Sequence, residues 1–93
     1  MTRDEAEKLN VLLFQILAKL DESAAFVRDR DTDEHWQTYR RSVGKAMADV
    51  ALDLAEPLWK RFPELKPVQL GGSYEADPKI YEPRFYESPN GPQ

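Results

Sequence analysis

The segment Trp36–Phe62, WQTYRRSVGKAMADVALDLAEPLWKRF, decides the fold, because its bulky apolar residues recur at helical spacing. Trp36, Tyr39, Val43, Met47, Val50, Leu54, Leu58 and Phe62 follow one another in steps of three or four, which keeps them on one side of an α-helix. A half-buried strand needs steps of two. At about 100° per residue the charged residues Lys45, Asp49, Asp53, Glu56 and Lys60 gather into roughly 80° of arc and define the wet face. The rest of the circumference in the C-terminal half is too apolar for one neighbouring helix to cover. Gly44, Ala48, Ala51 and Ala55 form a row of small residues along which a crossing helix is expected to approach closely. Pro57 lacks an N–H to give the carbonyl of Asp53, so a kink is expected there, with a fresh helix beginning at Pro57 as the alternative.

The preceding segment pairs with this helix. Thr2 and Glu5 have the spacing of a capping box, and Asp4 and Glu7 suit the positive end of a helix that starts near Arg3. Leu9, Leu13, Ile16, Leu20, Ala24 and Val27 form its main stripe, while Val11, Phe14, Ala18 and Ala25 form a second on nearly the opposite side. Between Val11 and Ala18 the only polar residue is Gln15, which places this helix between partners rather than on the outside of a hairpin. The run RDRDTDE, residues 28–34, has no apolar member, and Asp31 with Glu34, or Thr32 alone, can cap a second helix. So short a connection between two long helices predicts an antiparallel pair.

After Phe62 the composition changes. Pro63, Pro67, Pro78, Pro83, Pro89 and Pro92, with Gly71 and Gly72, exclude another long helix. Leu65, Val68, Leu70, Tyr74, Ile80, Tyr81, Phe85 and Tyr86 nevertheless make this stretch too apolar for a disordered tail. The arm is expected to dock around Tyr81, Phe85 and Tyr86, with residues 87–93 left mobile; recognition of another protein through Tyr74, Tyr81, Phe85 and Tyr86 is the competing reading. The expected fold is therefore all-α. A hairpin over residues 1–62, with helices at about 3–28 and 33–62 and a kink near Pro57, carries an extended arm over 63–93.

Size bears on assembly. About sixty residues form the conventional core, a length at which a single domain is marginal, and with no cysteine in the chain disulfides cannot reinforce it. Dimerisation into a four-helix bundle is the expected reinforcement, with Leu13, Ile16, Leu20, Met47, Val50, Ala51, Leu54 and Leu58 as the candidate interface. A net charge of −4 argues against a general affinity for nucleic acid or anionic membranes. The opening MTRDEAEK lacks a signal-peptide profile and no apolar run approaches a membrane span, so a cytoplasmic location is expected.

Motifs for chemistry are sparse. The single histidine, His35, neighbours Asp33 and Glu34, but adjacent helix residues do not converge on one ion. Asp49, Asp53 and Glu56 share a face, yet it is the solvated one, and no Glu-x-x-His motif accompanies them. Ser23, Ser42, Ser73 and Ser88 show no pairing with the histidine, and Gly71-Gly72-Ser73 lacks the lysine of a phosphate loop. Arg40 and Arg41, beside Tyr39, form the one local basic cluster and a candidate anion site. No cofactor or metal is implied. The leading expectation is a non-catalytic homodimeric interaction or adaptor module; the alternative is a small-ligand binder or enzyme with a pocket between helices near Trp36, Tyr39, Arg40 and Arg41.

Overall fold

The computed structural model describes residues 1–89 and contains two long helical stretches packed side by side. α1 spans Arg3–Arg30 and begins at a complete capping box, in which Thr2 Oγ1 accepts from Glu5 N and Glu5 Oε1 accepts from Thr2 N at 2.7 Å. Only Asp31 and Thr32 separate it from α2, Asp33–Asp49, which starts where Thr32 Oγ1 accepts from His35 N at 3.2 Å. A two-residue link forces the chain back on itself, and the two helices form an antiparallel hairpin. Among the described residues there is no strand, and no helix is long and apolar enough to cross a membrane.

α2 does not end at Asp49. It passes into a π-helical turn, Val50–Ala55, and then into α3, Glu56–Arg61, so that residues 33–61 are helical throughout. The π turn is explained by Pro57. A proline has no N–H and its ring crowds the carbonyl four residues back; widening the preceding turn shifts the hydrogen-bond ladder by one, as Glu56 N bonding to Ala51 O shows. The extra residue changes which side chains face inward. A step of five carries the buried face from Val50 to Ala55, after which Leu58 and Trp59 continue it, and Leu54 turns outward to 53% exposure. Gly44 and Ala48 also face solvent, and a Cβ on Gly44 would meet nothing within 4 Å, so the expected close crossing along the small-residue row does not occur there.

The core lies at the end of the hairpin away from the link at Asp31 and Thr32, where the arm begins. Ala6 and Leu13 of α1, Ala55 of the π turn, Leu58 and Trp59 of α3, and Leu65 beyond it form one buried cluster, with Leu9, Phe14, Val50, Phe62 and Tyr74 packed around it. Asn10 is fully buried within this region and has both ends of its amide satisfied. Its Nδ2 donates to Leu65 O at 3.0 Å and its Oδ1 accepts from Trp59 Nε1 at 2.9 Å, so one side chain ties α1, α3 and the start of the arm together.

From Pro63 the arm proceeds through short 3₁₀ turns at Pro63–Leu65, Val68–Leu70 and Pro78–Tyr81. Gly71 and Gly72 make a hydrogen-bonded corner. Gly71 has φ 90°, and a Cβ on Gly72 would lie 2.0 Å from Lys66 O, so both positions need glycine. Gly72 N donates to Pro67 O and Tyr74 N to Lys66 O, both at 2.9 Å, which closes the loop. Beyond it the arm runs in the same direction as α1. The molecule measures 45 × 25 × 22 Å, its longest dimension close to the roughly 42 Å length of a 28-residue helix.

Candidate functional site: the faces of α1

α1 is contacted on more than one side, as the single polar residue in VLLFQILA suggests. Its inner side carries Ala6, Leu13 and Ala24 to the hairpin interior, all buried. A second row, Gln15, Lys19, Glu22, Phe26 and Asp29, again three and four apart, receives the arm. Gln15 Nε2 donates to Ile80 O at 2.8 Å and Lys19 Nζ to Pro83 O. Glu22, whose side chain is only 8% exposed, uses Oε1 to accept from the N–H groups of both Phe85 and Tyr86. Phe26 then meets the Phe85 ring at 5.3 Å and the Tyr86 ring edge-on at 5.2 Å. Tyr86 Oη and Ser88 Oγ each donate to Asp29 Oδ2 at 2.7 Å, and Arg28 reaches Ser88 Oγ at 3.0 Å.

These contacts leave an electrostatic mark. The Asp29 carboxyl is pulled from its ordinary 3.8 to about 2, by the Arg28 guanidinium first and then by the hydroxyls of Tyr86 and Ser88. Tyr86 is pushed upward, chiefly by its hydrogen bond to that carboxylate. At the other end of α1 Tyr74 Oη donates to Glu7 Oε2 at 2.7 Å, which with Arg3 lowers the Glu7 carboxyl, while burial and then Glu7 raise the Tyr74 phenol. The arm therefore touches α1 near both ends. Of the arm residues singled out from sequence, Tyr74 and Tyr86 bond to α1 carboxylates, Phe85 stacks on Phe26 while remaining exposed, and Tyr81 lines a cleft. Residues 90–93 of the segment expected to be mobile lie outside the described residues; within it, Ser88 is bonded to Asp29.

That cleft lies between α1 and the arm. Phe14, Leu17 and Ala18 contribute from α1, Met47 and Ala51 from α2 and the π turn, and Tyr74, Pro78 and Tyr81 from the arm, around about 650 Å³. Asp21, Gln69 and Arg84 are its polar members.

A third side of α1 is open. Two shallow apolar grooves share Leu12 and Gln15; one runs over Leu9 and Val11 toward Lys8, the other over Ile16, Leu20 and Ser23 to Tyr39 of α2. Leu12 is 48% exposed and Ile16 37%. Of the eight residues expected at a dimer interface, Leu13 and Leu58 lie buried in the chain's own core, Leu20, Met47, Val50 and Ala51 are half-buried, and Ile16 and Leu54 are exposed.

The other candidates are accounted for locally. Arg40 lies 5.5 Å over the Trp36 ring and donates from Nε to Gln37 Oε1 at 2.9 Å, and Arg41 Nε donates to Gln37 O at 3.2 Å. Tyr39 Oη donates to Ser23 Oγ at 3.0 Å. His35 Nδ1 is 3.0 Å from Asp31 Oδ1, and the Asp31 carboxyl is lowered by the Thr32 N–H first and then by this contact. Asp49, Asp53 and Glu56 are exposed. Sequence reasoning missed Asn10, Glu22 and Asp29 as anchors. Gln15 and Asn10 carried a signal, since each is a polar residue set among apolar neighbours.

Comparison of the chain with protein-family models, with curated proteins and with solved structures found no match.

Proposed function

We propose that this chain is a non-catalytic interaction module that works as a homodimer, with the open side of α1 as the contact between copies. The observation that carries the proposal is the apolar strip of Leu12 and Ile16, flanked by half-buried Leu9, Val11 and Leu20, on a side of α1 that neither α2 nor the arm covers. Removing such a strip from water favours association at about 25 cal/mol per Å². The charges along it suit a second copy. When two α1 helices cross antiparallel with the twofold axis at Leu12, Leu12 meets its own counterpart, Ile16 meets the stem of Lys8, and Glu5 of one copy stands opposite Lys19 of the other. Glu5 and Lys19 each have a hydrogen bond already, to Thr2 N and Pro83 O, but a carboxylate and an ammonium have further capacity. The four-helix bundle then consists of two hairpins joined through α1, and adaptor activity in the cytoplasm is part of the same reading.

Light scattering at tens of micromolar tests it. The expected mass is twice 10.8 kDa, falling to one chain in Leu12→Asp with helicity retained, because Leu12 lies outside the monomer core. A wild-type protein that stays at 10.8 kDa through that concentration range contradicts the proposal.

A further inference from the structure

The cleft between α1 and the arm lies on a different side of α1 from the proposed dimer contact. Three alanines make its space: Ala18 on α1, Ala51 in the π turn and Ala76 in the arm. At about 650 Å³ it falls in the range of pockets that take small organic molecules, and the Pro57-driven π turn contributes to its wall. Its body is aromatic and apolar, with Phe14 and Tyr74 at 6.1 Å between ring centres and Tyr81 on the arm side.

We propose that this cleft binds a small organic cation, an apolar ring or short chain bearing a protonated amine. The charges at the cleft decide the sign. Asp21 is exposed, and its carboxylate has no ion-pair or hydrogen-bond partner among the described residues. Arg84, the cation of the lining, has Glu82 Oε1 3.5 Å from its Nε. An ammonium entering the cleft meets an unpaired carboxylate, whereas a carboxylate must compete with Glu82 for Arg84 in the company of Asp21. Aromatic faces add to the preference, since the ring quadrupole attracts cations and repels anions. The net charge of −4 acts in the same direction at longer range.

The test uses three probes with one body: 2-phenylethylammonium, 2-phenylethanol and 3-phenylpropionate, each titrated into the full chain and followed by amide NMR shifts. The ammonium is expected to bind tightest and to shift resonances of residues 14–21 and 74–84. Asp21→Asn, a change at an exposed position, should weaken the ammonium by about tenfold and leave the alcohol unchanged. Arg84→Ala should not weaken the ammonium. Carboxylate binding equal to or tighter than ammonium binding overturns the proposal, as does an Asp21→Asn variant with undiminished ammonium affinity. An absence of shifts in both segments at about 10 mM ammonium also overturns it.

Discussion

α1 is held on its inner side by burial and on the arm side by polar anchors. Inside, Leu13 and Ala6 join Ala55, Leu58, Trp59 and Leu65 in an apolar cluster, and Asn10, buried in the same region, is bonded at both ends of its amide. On the arm side, by contrast, Glu22, Gln15 and Lys19 hold backbone groups of the arm, and Asp29 holds two hydroxyls. The first kind of contact depends on apolar area and is indifferent to moderate pH. The second depends in part on two carboxylates, the buried one of Glu22 and the half-buried one of Asp29, so it responds to charge. The difference teaches that the hairpin can keep its core while the outer arm is released, because the two share few groups beyond Asn10 and Leu65.

The largest expected effect comes from breaking the buried side. Trp59→Ala removes a core ring and leaves Asn10 Oδ1 without its donor, so a global loss of about 3–5 kcal/mol is expected in denaturant unfolding. Because Asn10 also holds Leu65 O, the arm should loosen in the same transition. Separate loss of the arm with an unchanged hairpin would show that the core does not reach it.

An intermediate effect is expected from the arm side. Glu22→Ala leaves the N–H groups of Phe85 and Tyr86 without their acceptor, which should cost about 1.5–3 kcal/mol of local stability. Amide exchange at those two residues is the readout, and exchange within 9–16 should change little. If exchange accelerates equally in both regions, the contrast between the two sides is lost.

The smallest effect is the pH dependence of the outer arm. The Asp29 carboxyl is depressed in the folded chain, so its contribution is present above its ordinary 3.8 and is lost as pH falls through about 2. Tyr86 is raised, so its contribution is present below its ordinary 10.0 and is lost as pH rises through the higher folded value. NMR shifts of Tyr86 should report arm release at both extremes. Asp29→Asn should abolish the acidic limb, and an acidic limb that persists unchanged assigns it to another carboxylate.

Much of the fold could be read from local chemistry. The capping box at Thr2 and Glu5, the cap at Thr32 and the helical spacing on both sides of it led to the hairpin, and the proline pattern marked where it stops. The inner and outer positions after Val50 could not be read with a period of 3.6, because the π turn inserts one residue and exchanges Leu54 for Ala55 at the buried face. Pro57 signalled a kink or a fresh helix start, not the inserted residue that shifts the period. The anchors Glu22 and Asp29 were illegible for another reason. An acid on a helix is ordinarily solvated, and its role here depends on N–H groups and hydroxyls about sixty residues away.

The most direct test of the central claim, that the open side of α1 joins two copies, is an electron–electron distance between spin labels. The chain has no cysteine, so Asp4→Cys, at an exposed position of the first turn, labels a single site. With the twofold axis at Leu12, the two labelled positions lie eight residues on either side of it, which is about 24 Å along the helix axis. A single intermolecular distance distribution near that value, abolished by Leu12→Asp, is predicted. A dimer whose labels lie within about 10 Å, as parallel α1 helices would give, or the absence of an intermolecular dipolar signal, contradicts the account.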